Sequence, residues 1–204
     1  YKLGRVGIKI VTGGLPGAGQ FKIARDGYTY GEILDIPAEP KATLVGTIDL
    51  SGITLSTLNT LTIILTASVG GAQTITFTTP ADVADVAVQC NAQTTNMTWS
   101  IRQGKYLVVE DDVPGTTSSL SVDAASTGDL TVGMTGTAAG AASTYLIPNL
   151  GVTVTFPASA AYVVDTIYSF ATTCPVPSTT NVDTAVDALR NSGYKFAQIF
   201  NLFD

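Results

Sequence analysis

The sequence predicts a mainly β protein with two short helices, an α+β chain in which a β-rich host domain is interrupted by a small inserted sheet–helix module. Three observations carry this reading. Apolar and polar residues alternate with a period of two through several runs rich in Val, Ile and Thr. Two segments join an N-terminal capping signal to apolar residues at helical spacing. Charge is also unevenly placed. Residues 42–144 hold two basic side chains (Arg102, Lys105) and eight acidic ones, net −6, whereas the flanking segments together hold eight of each. The expected organisation is therefore residues 1–41 as the first half of the host, 42–144 as an acidic β/α insertion, and 145–204 as the second half. Insertions succeed at exposed loop tips, where little backbone hydrogen bonding is lost.

In Arg5–Thr12, Val6, Ile8 and Ile10 alternate with Arg5, Gly7 and Lys9, which predicts a strand with one apolar face. Gly13-Gly14-Leu15-Pro16-Gly17 breaks it. Gln20–Arg25 alternates again, Asp26-Gly27 signals a tight turn, and Tyr28 to Ile36 resumes an extended pattern. In the middle, Thr60–Thr66 and Gln73–Thr78 predict a hairpin about Ser68-Val69-Gly70-Gly71. Thr79-Pro80-Ala81-Asp82 then supplies a cap, a proline at the first helical position and an early acid, for a helix running to about Asn91. Thr98–Arg102 and Tyr106–Glu110 flank a Gln103-Gly104 turn, Leu120-Ser121-Val122 is a short strand, and Ala124 to Ala142 is expected to be loop. Gly151–Phe156 and Tyr162–Thr172 are β runs, ended by Pro175 and Pro177. Thr180-Asn181-Val182-Asp183 forms a capping box with Asp in place of Glu, opening a helix that Gly193 stops. Lys195–Phe203 closes the chain as a strand. The host halves are expected to meet in one sheet, with Tyr28–Ile36 near Tyr145–Phe156.

Composition narrows the function classes. The chain has 204 residues, 45% of them apolar, enough for a core. It has no histidine, which removes the commonest general base and zinc ligand. Ten basic residues against sixteen acidic ones suit a phosphate backbone poorly, so no nucleic-acid partner is expected. No apolar run approaches the roughly 20 residues of a membrane helix, so no membrane partner is expected either. Cys90 and Cys174 are read as unpaired thiols in a reducing compartment. The absence of an initiator Met and the stop after a strand-like run predict a piece of a longer polypeptide.

Candidate chemistry is sparse. Gly13 to Gly19 lacks the Lys-Ser/Thr of a phosphate loop and precedes a strand rather than a helix, so it is read as a turn. Glu110-Asp111-Asp112 is read as a solvated strand end rather than a calcium site. Asp26 with Asp35, and Asp183 with Asp187, are the available carboxylate pairs. The second pair lies four residues apart on an exposed helix face and is read as solvated. No lysine among Lys9, Lys22 and Lys105 is singled out as a base. The chain is thus read as not an enzyme, with no catalytic residue, cofactor or metal. Trp99 and Tyr106 remain as candidate surface or glycan contacts, with Trp99 favoured as a core residue.

Ile10-Val11-Thr12-Gly13-Gly14, then Gly17 and Gly19 before Phe21, then Asp26-Gly27, resemble the opening of a domain in bacteriophage contractile tail-sheath-like proteins. Ile36-Pro37, Ile147-Pro148 with Gly151–Phe156, and then Tyr168, Phe170, Thr172 and Pro175 continue that pattern, as does Ala185 to Phe196. The resemblance covers about 100 residues in two pieces. The middle is similar to the small inserted module of flagellar hook-associated and phage tail proteins, through its two Thr-rich strands, the helix end Gln89-Cys90-Asn91-Ala92 and the hairpin Trp99–Glu110. Together these imply a virion structural protein of a tail sheath or tail shell. Its partners would be copies of itself and other tail proteins, as a homo-oligomer in the full-length parent, assembled in the bacterial host cytoplasm, with the insertion exposed outside. The alternative expectation is a carbohydrate- or surface-binding adhesion module.

Overall fold

The computed structural model describes residues 4–27, 29–148, 150–157 and 161–172, together with Thr180, Asp183, Thr184, Asp187 and Ala188. Along the chain come β1 (Gly4–Thr12), β2 (Gln20–Arg25), β3 (Leu34–Asp35), β4 (Lys41–Val45), β5 (Thr62–Ala67) and β6 (Ala72–Thr76). Then follow α1 (Val83–Gln93), β7 (Met97–Arg102), β8 (Tyr106–Pro114), β9 (Ser119–Val122), α2 (Asp129–Val132), β10 (Thr137–Ala139), β11 (Ser143–Ile147), β12 (Val152–Phe156) and β13 (Ile167–Thr172). The protein is mainly β, an α+β chain with four small sheets. Of the two predicted helices, α1 is present. The second falls mostly outside the described residues, of which Thr180, Asp183, Thr184, Asp187 and Ala188 are helical. The predicted strand Lys195–Phe203 and the Pro175-x-Pro177 stop also lie outside them.

Contacts divide the chain into two compact units: Tyr1–Thr12, Gln20–Leu34 and Val163–Asp204 in one, Gly13–Gly19 and Asp35–Tyr162 in the other. The first is built on an antiparallel sheet in the order β13-β1-β2, which β3 extends as the chain leaves it. The alternation of β1 works as its sequence predicts: Val6, Ile8 and Ile10 are buried, and Gly7 lies between Ser169 of β13 and Ala24 of β2. Two distant parts of the chain thus meet in one sheet, but through β13 on β1. Tyr145–Phe156 does not join Tyr28–Ile36. Instead β11 and β12 pair with each other as a two-stranded sheet, and only Leu34–Asp35 of the earlier stretch is strand.

The second unit holds the larger core. Sheets β10-β9-β5-β6 and β4-β8-β7 face each other across Leu44, Ile63, Leu65, Ile75, Trp99, Leu107, Val109 and Leu120, all buried in one cluster. At one side β10 and β9 run beside β4, and at the other α1 lies against both β6 and β7. Helix α1 starts one turn later than its sequence predicts. Asp82, not Thr79, is the cap, accepting from Asp85 N at 2.9 Å, while Asp85 Oδ2 accepts from Ala81 N at 2.9 Å. This is a variant of the capping box in which the third-position Asp reaches back to the amide just before the cap. Thr79 cannot cap because it sits in the left-handed region at φ 40°, held there by Asn59, whose Oδ1 accepts from its amide at 2.6 Å.

The side chains of α1 close the sheet edges. Gln93 accepts from Thr76 N at 3.0 Å and donates to Thr76 O at 2.7 Å. Gln89 does the same for Thr78, at 2.8 and 3.2 Å, and Asn91 for Trp99, at 2.9 and 2.8 Å. A primary amide has one acceptor and a pair of donors in a plane, so it can stand in for the peptide group of a neighbouring strand. The backbone groups of Thr76, Thr78 and Trp99, which an edge strand would otherwise present to another chain, are thus already paired.

Incoming and outgoing chain run side by side where this bilayer begins. Pro40 O accepts from Gly115 N at 3.2 Å and from Ala141 N at 3.1 Å, and Ser143 Oγ donates to Pro37 O. Residues 37–40 and 141–143 form a narrow neck. Beyond it, Ile36, Ile147 and Phe156 are buried, and Phe156 meets Tyr162 edge-on at 5.6 Å.

Candidate functional site

The β7–β8 hairpin turns through Gln103 and Gly104, at φ 55° and 69°, with Lys105 N donating to Arg102 O at 3.1 Å. Both central residues at positive φ make a type I′ turn, whose twist matches the strands it joins. The end of β4 lies alongside, since Gly46 N donates to Leu107 O at 2.7 Å. Between them is a shallow groove of about 320 Å³ lined by Val45, Gly46, Thr47, Arg102, Gln103 and Tyr106. Gly46 forms its tight floor: a Cβ there would come within 2.5 Å of Val132 O. Lys105 Nζ donates to Asp49 Oδ2 at 2.8 Å, and this bond raises the lysine's pKa and lowers that of the carboxyl. Arg102 makes no ion pair or side-chain hydrogen bond among the described residues.

Tyr106, one of the two aromatic residues the sequence nominates, is thus half-buried at a groove. Trp99 is not at a surface. It is 3% exposed, packed in the large core, with its Nε1 donating to Thr94 Oγ1 at 3.0 Å. No ring face is open to a sugar, because β7 directs alternate residues Met97 and Trp99 inward. Arg102, Gln103 and Val45–Thr47 escape the sequence reading. The available signal is that the only two basic residues between 42 and 144 flank the same turn, next to a tyrosine.

Asp111 corrects the reading of Glu110-Asp111-Asp112 as a solvated strand end. Its exposure is 0%, because it is in phase with the inward-facing Leu107 and Val109 of β8. Its carboxylate accepts from Ser118 Oγ and Ser119 N at 3.0 Å each, and from Val113 N at 3.3 Å. Ser118 Oγ in turn accepts from Ala42 N at 2.7 Å. Burial pushes the carboxyl upward, but the nearby Ser68 hydroxyl foremost, and then the Ser119, Ser118 and Val113 donors, outweigh it and hold it below its ordinary value. Ser68 Oγ is itself buried and makes no hydrogen bond of normal geometry. The arrangement joins β4, β8 and β9, and the carboxylate's hydrogen bonds go to protein donors.

The other nominated groups are accounted for locally. In the glycine-rich segment the amides of Gly14, Gly17, Ala18 and Gly19 donate to backbone carbonyls, so the run of free amides that a phosphate cradle needs is not present there. Asp26 accepts from Arg5 N at 2.9 Å, and Asp183 and Asp187 are exposed. Lys9 pairs with Asp165 at 2.7 Å, which raises its pKa, opposite to what a lysine base requires. The Cys90 thiol is buried and free, and burial pushes its pKa up to about 12; Cys174 lies outside the described residues. Among the described residues no group of His, Cys, Asp and Glu is placed to hold a metal ion, and no helix is long and apolar enough to cross a membrane. The chain matches no protein-family model, and no curated protein is detectably similar to it.

Proposed function

We propose that this chain is a virion structural protein, part of a phage tail sheath or tail shell that acts by self-assembly, with residues 42–144 carried as a module on the outside. The neck is the observation that supports this most. A segment of about 100 residues leaves and rejoins the chain between Pro37–Pro40 and Ala141–Ser143, which hydrogen-bond to one another. Such a segment can be carried without disturbing the strands on either side of it. The amides of α1 keep the module's strand edges at β6 and β7 from adding to a neighbour, which leaves strand pairing between copies to the rest of the chain. Its net −6 charge acts the same way. Packed at repeated contacts it would repel itself, and projection outward by more than the roughly 10 Å screening length in 0.1 M salt relieves this.

The test is electron microscopy of the full-length protein with Lys41–Ser143 replaced by a short Gly-Ser linker. Rings or tubes like those of the intact protein are expected. A folded but unassembled deletion protein would show that the module makes subunit contacts; a full-length protein that is monomeric throughout would remove the assembly reading altogether.

A further inference from the structure

We propose that the groove beside Tyr106 binds a carboxylated saccharide, a sugar of the uronic-acid type. The first ground is position. Strand β8 runs nine residues from Tyr106 at the groove to Pro114, which pairs with Lys41 at the neck. At about 3.3 Å per residue the groove stands roughly 25 Å from the neck, at the far tip of the module. The second is charge. Arg102 and Lys105 are the only cations of residues 42–144, and both are on this turn. Lys105 is occupied by Asp49 at 2.8 Å, whereas Arg102 makes no ion pair among the described residues and offers its planar fork to a ligand carboxylate.

The third ground is the company Arg102 keeps. The Tyr106 ring supplies an apolar surface for the carbon-bound hydrogens of a pyranose. Gln103 has a free amide with both donor and acceptor. Thr47 Oγ1 donates to Gly133 O at 3.2 Å, which leaves its lone pairs to accept from a sugar hydroxyl. A volume of about 320 Å³ admits one or two sugar rings. The groove needs little rearrangement to bind, because the I′ turn and the Gly46 floor fix its walls. The site belongs to a single copy of the chain and does not depend on assembly.

The experiment is an NMR titration of the intact chain with a tetra-uronate oligosaccharide, its carboxyl-reduced counterpart, and sodium acetate. The uronate should give saturable amide shifts confined to Val45–Thr47 and Arg102–Tyr106. The reduced sugar should bind at least about tenfold more weakly, and so should Arg102→Gln towards the uronate, since one charge-assisted bidentate contact is lost. Tyr106→Leu, which keeps bulk without the ring, should weaken both sugars alike. Melting of each variant within about 2 °C of the parent shows that the fold is retained. Absence of saturable shifts, equal binding of the charged and reduced sugars, or acetate matching the uronate would each overturn the proposal.

Discussion

Asp111 offers the sharpest test of how the larger unit is held together. Asp111→Ala removes a fully buried carboxylate and strands the Ser119 and Val113 amides and the Ser118 hydroxyl without their acceptor. Hydrogen bonds to a charged group are worth about 1.5–3 kcal/mol each, and the 3.3 Å bond from Val113 counts least, so the loss should be about 4 kcal/mol. Asp111→Asn is milder. Its carbonyl can keep the two 3.0 Å bonds while its amide faces Val113, so about 1–2 kcal/mol is expected. At about 4 °C per kcal/mol for a unit of this size, the melting point should fall by about 15 °C and 6 °C respectively. The assay is already in the chain: Trp99 is its only tryptophan and sits in this core, so its fluorescence reports this unit. The pH dependence has a definite sign. A carboxyl whose folded pKa is depressed contributes stability above its unfolded value of about 3.9, and loses it as pH falls through the lower folded value. The gap between parent and Asp111→Asn should therefore narrow progressively as the pH falls below about 5. An Asp111→Ala protein that melts within about 2 °C of the parent would refute the network, as would a gap that widens in acid.

Three further outcomes follow from the same core. Trp99→Ala should cost about 3–5 kcal/mol in denaturant unfolding followed by far-ultraviolet circular dichroism, through the cavity left and the loss of the bond that Thr94 Oγ1 accepts, the hydroxyl keeping its own bond to Cys90 O. Gln89→Ala with Gln93→Ala should cost about 2–3 kcal/mol and, more tellingly, should raise concentration-dependent association in light scattering, because the backbone groups of Thr76 and Thr78 are uncovered. The Cys90 thiol should resist a thiol reagent at pH 8 in the folded protein and react when it is unfolded, since a pKa of about 12 leaves almost no thiolate.

Much of the fold is legible where a strand buries one face only. Val6, Ile8 and Ile10 announce β1 because their period of two is uninterrupted. The shared face of Val86 and Cys90 announces α1 for an equally local reason, although its cap is Asp82 rather than the Thr79 read from the sequence. Ala124–Ala142 reads as loop yet contains α2 and β10: four residues and three are too short for a period to emerge, and Gly128, Gly133 and Gly136 mark breaks. Those small residues are held by neighbours distant in sequence, as where β10 pairs with β9. Strand β4 is missed because Pro37 and Pro40 dominate its approach, and its partner β8 lies some 65 residues later. At the candidate site Tyr106 is legible as an aromatic beside a turn, whereas Val45–Thr47 is brought to it only by the β4–β8 pairing. Asp111 is the instructive error: composition makes three consecutive acids look solvated, while their alternation with Leu107 and Val109 already assigns the middle one to the core.

The neck has a consequence for how the rest of the chain folds. Closing an unstructured loop costs about (3/2)RT ln n, which is roughly 4 kcal/mol for 100 residues and about 1 kcal/mol for four. Because residues 37–40 and 141–143 are clasped, a folded module presents the flanking segments with the short loop rather than the long one. Melting the module should therefore loosen those flanking segments by about 3 kcal/mol without breaking a single contact of theirs. Conversely, any foreign domain whose termini lie as close together can be grafted at Pro40 and Ala141 with the same small entropic cost, which makes this clasp a position for displaying cargo.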